Sequence, residues 1–468
     1  MAARCKLLIV MLIELAFILG ACTTPTVSPQ TLDITAPTPL GISPPDRSLT
    51  CADVDTYWGK DWSAVLTALE SCGEEFVSSK AYAAHFNYGA AFEAEGDVLG
   101  AIEQYQAAFL LDPRRQEALE ALLRLNALPQ PTIPACPSTA ASGVDPAPAE
   151  APDLSAYVSV SGQHLLSNGE IFEVRGVNYY SRHAPWDRFL TGADLTEVAE
   201  ELDLIKQAGF NVLRLFLWYD PLFICQPEDA VPNESTFARV DMLLAMASNR
   251  DLKVIITLND LPDLTFRPLY TDWARYDAQT TYIVRRYRND PTILAWDLRN
   301  EGDLDYGARS GDTARFSQEE VLGWLAHVSQ LVQEHDPYHL RTAGWWGDPT
   351  LTAPYVDLLS FHHWSDAPSL ASRVTEYRLR SVQPLLLEEV GYHSWAEAPQ
   401  DARDEVTQAA ILGDVVKGGE VQGLAGWMVW TAFDFSPTSG EPATHEHFFG
   451  LWRLDLTPKP ALEVLPLR

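Results

Sequence analysis

Two short stretches carry carboxyl groups where an apolar, strand-like run comes to its end. AWDLRNEGD (295–303) puts Asn300 and Glu301 just after such a run, and PLLLEEVG (384–391) closes on Glu388 and Glu389. A carboxyl that keeps its proton can give it to a leaving oxygen, while an ionised partner can attack carbon or accept a proton. Taken alone, Arg299-Asn300-Glu301 also fits a solvated turn. The chemistry therefore depends on whether the fold brings Glu301 and Glu389, 88 positions apart, to one place.

From residue 155 onward, strand-like runs alternate with amphipathic helical stretches. The runs are FEVRGVN (172–178), NVLRLFLW (211–218), KVIITL (253–258), ILAWDL (293–298), LRTAGW (340–345), DLLSFHHW (357–364), PLLLEEV (384–390) and GLAGWMVWT (423–431). LTEVAEELDLIKQA (195–208) and VLGWLAHVSQLVQEH (321–335) show apolar residues at helical spacing. Eight such units predict a (β/α)8 barrel over 155–468 rather than an open sheet. The fifth helix is the weak element, because little helical sequence separates Trp345 from Asp357. AYVSVSGQHLLSNGEIFEV (156–174) reads as a hairpin turning at Ser167-Asn168-Gly169, placed to plug the barrel floor. Active sites of this fold lie at the strand C-termini. Those ends carry Asn178, Arg214, Asn300, Glu301, His362, Trp364, Glu388, Glu389 and Trp430.

Residues 155–468 resemble glycoside hydrolase family 5 and its wider clan of (β/α)8 hydrolases. The likeness rests on Asn300-Glu301 after strand four, Glu389-Val390-Gly391 at strand seven, and the stretches RYRNDPTILAWDLRNE (286–301), GVNYY (176–180) and GFNVLRL (209–215). It implies a retaining β-glycoside hydrolase acting on β-1,4-linked mannan or β-glucan, with Glu301 as acid/base and Glu389 as nucleophile. It further implies that Arg214 orients Glu389 and keeps it ionised, that Asn300 donates to the sugar 2-hydroxyl, and that His362 lies near the reacting sugar. Trp430 would be the platform under that sugar, and Trp218, Trp345, Trp346 and Trp395 candidates for further subsites. No metal or organic cofactor is implied. Strand alternation separates Glu388 from Glu389 only when the register is known; the resemblance puts the nucleophile at the Glu preceding an apolar residue and Gly, Glu389. Two departures stand out. Trp364 occupies a position where the family commonly has Tyr, and an indole N–H can donate but offers no acidic hydroxyl. The third strand ends TLND (257–260) where many cellulases of the family have a His, closer to the mannanase-like branch. A rival reading is a non-catalytic, carbohydrate-binding surface lipoprotein.

The remainder of the chain bears on location and partners. Arg4 and Lys6 precede LLIVMLIELAFILG, the order of a secretory signal (1–21), and Leu19-Gly20-Ala21-Cys22 resembles a bacterial lipobox with Cys22 as the lipidated residue. The expected location is the cell envelope or surface, lipid-anchored. A Pro/Thr-rich tether follows (22–50), then a helical segment (51–127) and a Pro/Ala-rich linker (128–154). Within the helical segment, Gly89, Gly96, Ala101 and Ala108 fall where two antiparallel helices approach closely, a spacing that resembles a tetratricopeptide repeat and allows a protein partner. Its plainer reading is a spacer. Of the four Cys beyond the lipobox, Cys51, Cys72, Cys136 and Cys225, three disulfide connectivities are possible, Cys51–Cys72 being the local one. The formal charge of -31 argues against nucleic acid as a partner.

Overall fold

A computed structural model describes residues 49–72, 74–111, 116–125, 152–260, 269–307, 315–437 and 442–467 of the chain. The expected leader, Cys22, most of the tether and nearly all of the 128–154 linker lie outside these residues.

The helical segment contains Trp62–Leu69, Glu74–Glu95, Val98–Leu111 and Gln116–Arg124. Asp61 caps the first of these by accepting from the Ala64 amide at 3.0 Å. The two longer helices pack closely: a Cβ on Gly89 would come 2.8 Å from the Tyr105 ring, and Ala101 and Ala108 are fully buried. Cys51 and Cys72 form a disulfide, the local one of the possible pairings.

The barrel strands are β1 Val174–Asn178, β2 Val212–Phe216, β3 Lys253–Thr257 and β4 Ile293–Asp297, followed by β5 in two halves, Leu340–Thr342 and Gly344–Trp345. They continue with β6 Leu359–His363, β7 Leu385–Val390 and β8 Gly426–Val429. Every neighbouring pair is parallel, and the ring closes through β5, whose first half pairs with β4 and second half with β6. This is the expected (β/α)8 barrel. Its longer helices are α1 Leu195–Ala208, α2 Glu234–Ser248, α3 Asp277–Tyr287, α4 Gln318–His335, α5 Ala367–Arg378 and α6 Glu405–Val421. Local chemistry sets their ends. Asp194 accepts from the Thr196 amide at the start of α1, and Gly209, left-handed at φ 104, stops it. Ser317 and Glu320 form a capping box on α4. Between β5 and β6 the chain makes only a 3-10 turn, Pro349–Thr352, so the fifth unit lacks a full helix.

The floor differs in detail from the expected hairpin. It is a three-stranded antiparallel sheet, Ser159–Ser161, His164–Ser167 and Glu170–Ile171, with an additional turn at Gly162-Gln163 before the one at Asn168-Gly169. Its Leu165, with Val158, joins Val174, Val212, Ile255, Leu358, Leu386 and Met428 in an apolar cluster at the starts of the strands. The plug is therefore part of the core.

Candidate active site

The other end of the barrel interior is polar. Arg214, carried inward by β2, is completely buried and lies at the centre. Its Nη2 and Nε donate to Asp297 Oδ2 at 2.6 and 3.2 Å, its Nη2 also to Asn300 Oδ1 at 2.9 Å, and its Nη1 to Asn178 Oδ1 at 3.0 Å and to Glu389 Oε1. Asp297 is further satisfied by the Thr257 hydroxyl at 2.7 Å and the Gly344 amide at 3.1 Å. Although burial works against it, the carboxylates of Glu388, Asp297 and Glu389 raise the guanidinium pKa, so Arg214 is a permanent charge.

Beyond β4, Glu301 opens the 3-10 turn Gly302–Asp305 in a left-handed backbone conformation, φ 51 and ψ 38, its amide donating to the Gly344 carbonyl at 2.6 Å. Such a conformation in a non-glycine residue is uncommon and turns the side chain across the cleft. There Glu301 Oε1 meets His362 Nδ1 at 2.9 Å, and the same nitrogen lies 3.5 Å from Glu389 Oε2. Burial holds the His362 imidazole below its ordinary pKa, hence neutral, and its Nδ1–H serves the two carboxyl groups. One oxygen of Glu301 and one of Glu389 lie within 4.8 Å of each other. These residues also offer three converging donor atoms, but the hydrogen bond between Glu301 and His362 and the Arg214 charge on Glu389 already satisfy them. The set reads as a hydrogen-bonded acid–base cluster rather than a metal cage.

Glu388 and Glu389 both face Arg214, which simple alternation along β7 forbids. The reason is a bulge. Leu387 pairs with Phe361 while Glu389 pairs with His362, and on the other side Leu387 and Val390 pair with Trp427 and Val429. One extra residue on β7 thus turns two consecutive side chains inward. Burial, opposed by Arg214, raises the carboxyl pKa of both, that of Glu388 to about 8. Arg214 opposes that rise in each, by a direct hydrogen bond to Glu389 and from 3.7 Å at Glu388 Oε1.

The remaining expected residues separate into cleft and core. Asn300 has its Oδ1 on Arg214 and its Nδ2 on Asp260 Oδ1 at 2.9 Å, so its orientation is set before any ligand arrives. Trp430 is half-buried at the end of β8, edge-on to Phe216. Trp364 packs edge-on against Phe449 and makes no hydrogen bond to Glu389 among the described contacts; it instead separates two cavities of about 440 and 550 Å³. Trp346 lines the first and Trp395 the second. Trp345 is fully buried, its indole donating to Tyr306, and Trp218 donates to the Tyr180 hydroxyl.

Several site residues escaped the sequence reading. Asp297 sits three positions before Asn300 and could have been found as the inward residue of β4. Asp260, the last residue of TLND, holds Asn300. Glu446 lies beyond β8 in a short 3-10 turn, a carboxylate oxygen 3.2 Å from His445 Nε2 and its side chain near Trp430. Burial raises its carboxyl pKa, His445 and Trp430 lower it, and the proximity of Glu301 raises it. No local pattern marks that residue.

Comparison with known proteins agrees with this architecture. The family described as cellulase (glycosyl hydrolase family 5) matches residues 167–363. Mannan endo-1,4-beta-mannosidase F of Aspergillus fumigatus is 26% identical over 221 residues, 41% of this chain and 47% of that protein. Mannan endo-1,4-beta-mannosidase 8 of Oryza sativa is 25% identical over 232 residues, 42% of this chain and 58% of that protein. The chain thus spans about half the length of the curated relatives it matches. Among solved structures, a GH2 beta-galacturonidase from Eisenbergiella tayi (TM-score 0.51, 16% identity, 66% of this chain and 52% of that one) shares the fold. So does the Lactobacillus rhamnosus beta-glucuronidase (TM-score 0.51, 17% identity, 66% and 51%).

Proposed function

We propose that the barrel is a retaining β-glycoside hydrolase acting on a β-1,4-linked polysaccharide, with mannan ahead of β-glucan. The observation that carries this reading is the approach of Glu301 and Glu389, with carboxylate oxygens within 4.8 Å. Retaining hydrolases hold their two carboxyl groups about 5–5.5 Å apart, whereas inverting ones leave about 6.5–9.5 Å for a water molecule. Glu389, charged against Arg214, attacks the anomeric carbon as Glu301 gives its proton to the leaving oxygen. Glu301, now ionised, takes a proton from water, which attacks the glycosyl-enzyme and restores free Glu389 with net retention. His362 touches both carboxyl groups and follows their exchange of charge without becoming charged itself. Trp430 offers a flat apolar face beside this pair for the sugar ring, and Asn300 a pre-oriented amide. The preference for mannan is supported by the names of the relatives and by the TLND end of β3.

In the same reading the chain is exported and lipid-anchored through Cys22, and the helical segment spaces the barrel from the membrane. The test is reducing-sugar release from β-mannans, β-glucans and xylans by the whole protein, beside E389Q. Release from one polymer class, lost in the variant, is the expected result. Binding of polymer without release by either protein would overturn the enzyme in favour of a carbohydrate-binding lipoprotein.

A further inference from the structure

Glu388 has no part in the double displacement, yet it lies fully buried among the residues that perform it. Neither of its side-chain oxygens has a hydrogen-bond partner of good geometry among the described residues. The surrounding donors are all committed elsewhere. Arg214 Nε, 3.7 Å from Glu388 Oε1, donates to Asp297. Asn178 Nδ2 donates to the Glu388 main-chain carbonyl at 2.9 Å. The Ser360 hydroxyl adjoins the carboxyl, but it pairs with Thr342 Oγ1 at 2.6 Å, and Thr342 gives its own proton to the Leu358 carbonyl at 2.8 Å. With Thr342 donating to Leu358, Ser360 donates to Thr342 and presents its oxygen as an acceptor; turned toward Glu388 instead, the same hydroxyl would favour the ionised carboxyl and lower its pKa. The last neighbour, His362 Nε2, stands 4.0 Å from Glu388 Oε2 and is likewise without a partner. With Nδ1–H turned to the catalytic carboxyl groups, Nε2 of a neutral imidazole is an acceptor too.

A buried carboxylate whose neighbouring donors are committed elsewhere is costly, whereas a carboxylic acid there has somewhere to put its proton. Charge leads to the same conclusion. Among the described residues, Arg214 is the single cation facing Asp297, Glu388 and Glu389, and Glu301 lies one imidazole away. Even the backbone makes room for this group. Gly344 of β5 lacks the Cβ that would fall 2.5 Å from Glu388 Oε2 and 2.8 Å from His362 Nε2.

We propose that Glu388 is a positioning residue that works as a buried, uncharged carboxylic acid: it holds its proton toward Ser360 and His362 Nε2, fixing the His362 tautomer that serves Glu301 and Glu389, and leaves the charge of Arg214 to the nucleophile. This rests on the roles proposed above for Glu301 and Glu389. Burial moves the Glu388 pKa in the required direction; it raises that of Glu389 as well, where the hydrogen bond from Arg214 works against it. Ionisation of Glu388 would set a second carboxylate competing for Arg214 and repel the lone pair on Nε2, so activity falls on the alkaline side when it titrates.

The test has two arms, the first independent of any substrate. Infrared difference spectra of the unmodified chain and E388Q at pH 6.5 should show a protonated-carboxyl band present in the former and missing in the latter; identical spectra overturn the proposal. In the second arm, E388Q keeps a neutral side chain with a donor. It should hold turnover within about threefold of the unmodified enzyme near neutrality and carry it to higher pH, whereas E388A should lose about tenfold or more in kcat with little change in KM. An alkaline limb unmoved in E388Q, or equal losses in E388Q and E388A, would overturn the positioning role. Should E388Q not fold, S360A replaces it. Removing the acceptor shifts the infrared band and moves the alkaline limb to lower pH, and an unchanged band refutes the assignment. Absence of turnover on every polymer defeats the proposed function alone, since the infrared arm still reads the proton.

Discussion

The two ends of the barrel interior are built by the same eight strands and have opposite chemistry. At the strand starts, Val174, Val212, Ile255, Leu358, Leu386 and Met428 pack on one another and on Leu165 of the floor sheet. At the strand ends, Asn178, Arg214, Thr257, Asp297, His362, Glu388 and Glu389 are equally buried. Burying apolar surface stabilises, at about 25 cal/mol per Å². Burying charges costs desolvation that pairing only partly offsets. The lower layer is where a mutation should be felt as stability, and the upper layer is where the fold tolerates strain and unpaired groups in exchange for reactivity.

Substitutions can break this contrast, and the largest effects belong to the upper layer. E301Q removes the proposed acid/base and should lower turnover by about 10²–10⁴-fold. Its melting temperature should stay the same or rise, since an amide cannot ionise within a crowded cluster of buried carboxyl groups; a marked loss of stability would show the layers are not separable. Leu386→Ala is the mirror experiment. It should cost about 2–5 kcal/mol in denaturant unfolding while leaving kcat of the folded fraction unchanged. Gly344→Ala joins both currencies, because its Cβ would press on Glu388 Oε2 and His362 Nε2. A loss of about 1–3 kcal/mol is expected from overpacking, together with a fall in kcat that the neighbouring, outward surface of β5 would not produce.

The smallest effect sharpens the comparison through pH. The Glu388 carboxyl has its pKa raised from 4.5 to about 8 by burial. The folded state then keeps a proton that the unfolded chain releases, so this contribution to stability is full below about pH 4.5 and is lost as pH rises to about 8. Thermal unfolding of E388Q should be flatter over that window than that of the unmodified chain. Parallel curves would mean that Glu388 does not carry the proton. Leu386→Ala should leave the slope untouched, as it removes no titrating group.

Much of the architecture was legible because it depends on local patterns. α1 runs over Leu195–Ala208 as its apolar spacing predicts, and each expected strand contains an observed one within its bounds. The missing fifth helix was visible as a lack of helical sequence. The floor was read as one turn where there are two, since Gly162-Gln163 lies within an alternating run that resembles an unbroken strand. Asp260 and Glu446 were missed for another reason. Each acquires its partners from a distant strand or loop, Asn300 in one case and Trp430 in the other, and nothing in the adjacent residues reports such contacts.

By itself, then, the sequence determined eight strands, their order and the rim to which Glu301 and Glu389 belong, because periodicity and the parallel closure of the barrel are properties of the chain pattern. The tertiary structure alone decided which way each carboxyl faces. A bulge between Leu387 and Val390 brings Glu388 inward beside Glu389, and a left-handed residue at Glu301 turns the second carboxyl toward His362. Both are departures from regular strand geometry. They arise where neighbouring strands impose register and where buried charges compete for one guanidinium, and neither competition is written within any single stretch of the chain.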